Sequence, residues 1–230
     1  MAVRLETPDK IRTLQRKLYC KAKAEPEFRF YLLYDKVCRQ DILAHAYRLA
    51  RANAGAPGVD GVTFAQIEAE GVDAWLASLR EELALKTYRP APVQRVMIPK
   101  PGGGERPLGI PTIRDRVAQT AAKLVLEPIF EADFDDGAYG YRPGRSATDA
   151  IKEVHRLICR GYTDVVDADL SKYLDVSSHY TFRFFERVEK VRSNHRYLYS
   201  QAFCPSAVDV NGLELAALYT VQDGLPRDTE

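Results

Sequence analysis

At 230 residues the chain has room for one large domain or two small ones. Its 46% hydrophobic and 28% charged content is that of a globular protein, and excludes collagen-like, wholly disordered and disulfide-scaffold classes. The net charge of +1 names no partner by itself. No apolar run approaches the roughly 20 residues of a membrane-spanning helix, and MAVRLETPDK lacks the apolar core of a secretory signal, so no membrane association is expected. Cys20, Cys38, Cys159 and Cys204 form no CxxC pair, and the four histidines add no zinc-ligand spacing. A reducing cytoplasmic location is expected.

Ile11, Leu14 and Leu18 recur at helical spacing and predict a helix over 10–24 with a cationic outer surface, interrupted at Pro26. Apolar residues from Phe28 to Leu49 extend the pattern across 27–53, as one long helix or two stacked ones stopped by Asn53-Ala54-Gly55. AGAPGVDG (54–61) is a loop, and Thr63 with Gln66 is a capping-box pattern that opens a short helix. Trp75, Leu76, Leu79 and Leu83 mark a further helix ending near Tyr88-Arg89-Pro90.

From residue 93 the texture changes. VQRVMIPK (93–100) and RPLGIPT (106–112) read as two strands joined by the turn PGGGE (101–105). Thr112 caps a helix over 113–127, and Ser146 caps another carrying Ile151, Val154 and Ile158 that ends at Gly161. TDVVDADL (163–170) alternates as a strand with Val165, Asp167 and Asp169 on one face. Beyond 176 no element is predicted. The class is therefore α+β.

Charge is unevenly spread. In residues 1–23 seven cations face only Glu6 and Asp9, and in residues 86–116 seven more face only Glu105 and Asp115, whereas 204–230 is acidic. Such strips suit a polyanion-binding groove or solvated helix faces. Three clusters carry chemistry. Asp169, at the end of a strand, can offer a hard oxygen to Mg²⁺ together with the Leu170 carbonyl, or serve as a turn residue. Lys100 and Arg106 flank the glycine-rich turn and suit a triphosphate, by point charge and bidentate grip, or remain solvated. YGYRPGRS (139–146) sets Tyr141, Arg142 and Arg145 before a helix N-terminus, where they can hold a sugar-phosphate chain or plug the core.

PGVDG (57–61), YRPAPVQRVMIPKPGGGERPLGIPT (88–112), AYGYRPGRSATDAI (138–151) and VVDADLSKYLD (165–175), in this order and spacing, resemble the group II intron reverse transcriptases, the intron-encoded maturases. The resemblance covers roughly residues 10–179. It implies a right-hand polymerase divided as a helical N-terminal extension and start of the fingers (1–87), fingers with the first palm motif (88–179), and a divergent tail (180–230). The tail is either disordered or a non-native palm remnant. The implied activity is RNA-directed DNA synthesis with an intron-RNA-binding role in splicing. Its implied partners are template or intron RNA, a DNA primer and deoxynucleoside triphosphates.

By matching motif positions, Asp169 resembles the first catalytic Mg²⁺ ligand, with Leu170 beside it. Lys100 and Arg106 resemble the fingers cations on the incoming triphosphate. Gly58 and Asp60 resemble the template-side loop, and Tyr141, Arg142 and Arg145 the template–primer groove. Leu174 stands where the family usually carries an aromatic residue under the nucleotide's sugar. A Tyr-Ala-Asp-Asp hairpin does not occur among the 230 residues, whose one adjacent Asp pair is Asp135-Asp136. The chain is therefore expected to be truncated before the second catalytic motif, inactive alone and prone to self-association. Two alternatives stay open: a non-catalytic intron-RNA-binding module, and a fragment of a retron or CRISPR-associated reverse transcriptase.

Overall fold

The computed structural model describes residues 5–100 and 102–164. They fall into two compact units, one within 5–133 and one within 134–164. Helices and one two-stranded sheet make up the first and a helix the second, a mixed content compatible with the α+β class.

The first unit is built on one central helix. In chain order it contains α1 (Asp9–Ala24), α2 (Leu33–Val37), α3 (Gln40–Ala52), α4 (Phe64–Glu70), α5 (Val72–Ala84), β1 (Gln94–Pro99), β2 (Glu105–Ile110) and α6 (Ile113–Asp133). Helix α6 is buried on nearly every side, through Val117, Ala118, Ala121, Ala122, Val125 and Leu126, and α1, α2 and α3 pack around it. A helix buried all round belongs at the centre of a core.

Of the two readings of 27–53, one long helix or two, the structure takes the second, with a later start. Residues 27–32 are non-helical, and only α2 and α3 form. Pro26 interrupts the chain and Leu32 takes a left-handed φ of 62°, a conformation that cannot be propagated as a right-handed helix. The helix expected over 113–127 is longer than its sequence suggests, because it runs on through Pro128 to Asp133. Proline lacks an N–H, so the Leu124 carbonyl four residues earlier loses its helical donor. The Gln15 side-chain amide of α1 replaces that donor, with Nε2 at 3.0 Å from Leu124 O. Eight residues along both helices, Lys23 Nζ donates at 3.1 Å to Ala132 O, one of the last-turn carbonyls that a helix leaves open. Two bonds of equal offset thus fix α1 in register against α6.

The capping box at Thr63 and the glycine-turn hairpin form as read. Thr63 and Gln66 close a capping box on α4. The hairpin is antiparallel, with Gln94 opposite Ile110 and Pro99 opposite Glu105. Helix α5 ends in a Schellman motif, with Lys86 left-handed (φ 58°), Lys86 N bonded to Leu83 O and Thr87 N to Glu82 O.

The second unit contains α7 (Ala147–Cys159), where Ser146 and Asp149 form a reciprocal capping box. The hydrogen bond from Ser146 holds the Asp149 carboxyl below its usual range. No described helix is long and apolar enough to cross a membrane. The strand expected over 163–170 lies almost wholly outside the described residues, as does everything from 165 onward.

Candidate functional site

The hairpin carries the first pair of candidate residues. Lys100 N–H bonds to Gly104 O at 2.9 Å and Gly103 N–H to Lys100 O at 3.1 Å, which closes the tip with Gly103 and Gly104 at positive φ. Arg106 stands opposite Ile98, and Lys100 is the first residue past the end of β1, two beyond Ile98. The Lys100–Gly104 bond carries the pairing one residue past β1, and continued alternation there puts Lys100 and Arg106 on one face of the ribbon, as diagonal neighbours about 7–8 Å apart. Lys100 is exposed and Arg106 half-buried. A ligand with several anionic oxygens can span that separation.

The PGVDG loop is anchored at the root of the same hairpin. A Cβ on Gly58 would sit 2.7 Å from Thr112 Cα and N, and 2.9 Å from Pro111 C, so the loop backbone lies directly on the junction between β2 and α6. Arg116 of α6 completes the anchor. Its guanidinium donates to Pro111 O from Nε (3.1 Å) and Nη2 (2.9 Å), and to Ala56 O in the loop. Burial pulls the Arg116 pKa down, and the Asp60 charge works against that by favouring the cation. Asp60 itself shapes the turn, accepting from Val62 N–H at 3.2 Å. Gly58 and Asp60 thus have defined structural roles in presenting the loop.

The first turn of α6 spreads in three directions. Arg114 pairs with Glu82 of α5 at 2.6 Å and lies over Trp75. Asp115 takes the Tyr88 and Thr112 hydroxyls, and Arg116 takes the loop. These contacts change the reading of the basic strip over 86–116. Arg116 is 7% exposed and Arg114 is ion-paired, so neither is a solvated cation of a groove. In the first strip Arg12 pairs with Asp9 and Lys21 with Glu25, while Lys23 caps α6. Lys10, Arg16 and Lys17 remain on the exposed side of α1. Sequence reading missed Gln15, Asp115 and Arg116. Nothing in the sequence separates the last two charges from the other polar residues of α6, such as Arg114, Lys123 and Glu127; their burial does.

In the second unit the arginines knit their own loop. Arg142 Nη1 donates to Asp135 O (2.6 Å) and Ala138 O (2.8 Å), with its guanidinium over Phe134. Arg145 donates to Asp136 O and lies over Tyr139. Asp135 caps a turn by accepting from Gly137 N–H at 2.7 Å. Tyr141 takes a left-handed φ of 54° and is 65% exposed, presented outward by the turn that the two arginines hold. Asp169, Leu170 and Leu174 lie outside the described residues. Among the described residues no three His, Cys, Asp or Glu side chains gather as a metal-ligand set.

No family model matches the chain. It is 41% identical over 175 residues to protein YkfC of Escherichia coli strain K12, a match covering 74% of this chain and 46% of that protein. It is 35% identical over 155 residues to the group II intron-encoded protein LtrA of Lactococcus lactis subsp. cremoris, covering 66% of this chain and 25% of LtrA. To nuclear intron maturase 2, mitochondrial, of Arabidopsis thaliana it is 37% identical over 62 residues, covering 27% of this chain and 8% of that one. The chain therefore spans less than half the length of each of these relatives.

Proposed function

Because the chain belongs to the group II intron-encoded reverse transcriptases and maturases, we propose that its described part is the N-terminal extension and fingers of such an enzyme. In this reading the part binds intron or template RNA and holds the incoming deoxynucleoside triphosphate. The observation that carries the reading is the position of Lys100 and Arg106 on one face of a ribbon whose root also carries the PGVDG loop. Lys100 supplies a point charge and Arg106 a planar fork, a combination that suits a chain of phosphates. In the first unit the PGVDG loop, held by Arg116, offers backbone to a nucleic acid; in the second, taken by itself, the turn presenting Tyr141 offers an aromatic surface.

Asp169 with the Leu170 carbonyl belongs to the same proposal as a Mg²⁺ site, and Leu174 as the residue beneath the sugar. When bound, the ion supplies the positive charge that phosphoryl transfer requires. A two-metal site needs further carboxylates beside Asp169.

A second reading, an RNA-binding module without catalysis, is favoured by the exposed Lys10, Arg16 and Lys17 on one helix. The test that separates the two is equilibrium dialysis of dGTP with Mg²⁺ against the 230-residue chain and its Lys100→Ala and Arg106→Ala variants. The nucleotide-holding reading expects each substitution to weaken binding by about tenfold, the loss of one charge-assisted contact. Equal affinity in all three proteins would leave only the module.

A further inference from the structure

The hairpin that carries Lys100 and Arg106 has little to lean on. β1 is exposed along nearly its whole length and, among the described residues, no helix packs extensively against either strand. A lone two-stranded ribbon is marginal in water, so its direction must be set where it joins the rest of the unit. Both legs converge there on one side chain. Asp115, 3% exposed in the first turn of α6, accepts from the Tyr88 hydroxyl through Oδ1. Through Oδ2 it accepts from Ala91 N–H at 3.3 Å and from the Thr112 hydroxyl at 2.6 Å. Tyr88 and Ala91 lead into β1, and Thr112 follows β2. In return, Asp115 N–H donates to Thr112 Oγ1 at 3.1 Å.

From this geometry we infer that Asp115 is a positioning residue for the triphosphate grip, a role that rests on the reading of Lys100 and Arg106 given above. An ionised carboxylate is acceptor-only, and three donors converge on it: two hydroxyls and a backbone N–H. The N-terminal turn of α6 also favours a negative charge at that place. The lever is long. From Gln94 to Pro99 the strand climbs roughly 17 Å at about 3.3 Å per residue, so a tilt of about 10° at the root displaces its far end by about 3 Å. A displacement of that size breaks any hydrogen bond to a phosphate oxygen.

The experiment uses the full 230-residue chain with Asp115→Ala, Asp115→Asn and Tyr88→Phe. Asparagine keeps an oxygen for Thr112 and Ala91 and can donate to the Tyr88 oxygen, so it is the conservative rescue. Amide hydrogen exchange is followed over 94–110 and over α3, and dGTP–Mg²⁺ affinity by equilibrium dialysis. Asp115→Ala is expected to speed hairpin exchange by about tenfold with α3 unchanged, and to weaken dGTP by about fivefold or more. Asp115→Asn should stay within about twofold of the parent in both readouts, since it keeps the same contacts.

Hairpin exchange that is unaltered, or that rises equally in α3, overturns the inference. If Asp115→Ala loses its helical signal, Tyr88→Phe decides, because it removes one leg's bond and leaves the α6 cap intact. Faster hairpin exchange in that variant supports the role, and unchanged exchange overturns it. A parent chain that binds no dGTP would refute the assignment of Lys100 and Arg106, and the exchange data would then judge the hold of Asp115 on the hairpin alone.

Discussion

Replacing Gln15 with Ala removes a single hydrogen bond, and the structure sets how much that bond is worth. Leu124 is 7% exposed, and its carbonyl faces α1 without a helical donor because Pro128 supplies none. Gln15 Nε2, at 3.0 Å, is the donor that takes its place. Leaving a part-buried carbonyl unpaired costs about 1–3 kcal/mol. In a Pro128→Ala background the new backbone N–H at that position restores the helical bond, so the Gln15 substitution should then cost no more than about 0.5 kcal/mol, the level of a surface change. Urea unfolding of the parent, both single variants and the double variant, followed by far-UV circular dichroism, gives the coupling directly. The structure predicts a coupling of about 1–2 kcal/mol between residues 113 positions apart in sequence. Additive effects, within about 0.3–0.5 kcal/mol, would refute the claim that Gln15 substitutes for the donor missing at Pro128.

Two further substitutions probe the loop and the core. Gly58 has an ordinary φ, so only the close approach of Pro111 and Thr112 backbone forbids a side chain there. Gly58→Ala should cost about 1–3 kcal/mol in urea unfolding and open residues 54–61 to limited proteolysis. A stability equal to the parent's would contradict the contact. His45 in α3 is 1% exposed, with no hydrogen-bond partner for either ring nitrogen among the described residues. Burial, and then the charge of Arg48, lower its pKa. With the folded value depressed, the unfolded chain takes up a proton that the folded chain refuses as pH falls below about 6.5. Stability should therefore fall below that pH, by up to about 1.4 kcal/mol per pH unit, and be unaffected by His45 above it. Comparing urea midpoints at pH 7.5 and 5.5, the difference between parent and His45→Leu should change sharply. A constant difference would count against a neutral, unpartnered His45.

What the sequence revealed followed local physics. The apolar spacing of Ile11, Leu14 and Leu18 marked α1, the glycine-rich turn marked the hairpin, and Thr63 and Ser146 marked two helix starts that formed as capping boxes. Long-range contacts decided the rest. Pro128 looks like a terminator until Gln15, far away in the chain, fills the gap it leaves. Residues 27–32 are apolar enough for a helix, but hydrophobicity does not report that Leu32 turns left-handed. Counting charges over 86–116 treated Asp115 and Arg116 as surface groups, whereas burial converts them into the ties that hold the hairpin and the PGVDG loop. The order of the motifs was legible, and the contacts each residue makes were not, because a motif records residue types and not which neighbour each one touches.

The most direct measurement is nitrocellulose filter binding of a structured group II intron RNA to the 230-residue chain between 50 and 200 mM KCl. About five phosphate contacts, from Lys10, Arg16 and Lys17 on α1 and cations of the hairpin, should lower the affinity by roughly five hundredfold across that range. Retention that does not change with salt, or no retention even at 50 mM, would contradict an RNA-binding extension and fingers.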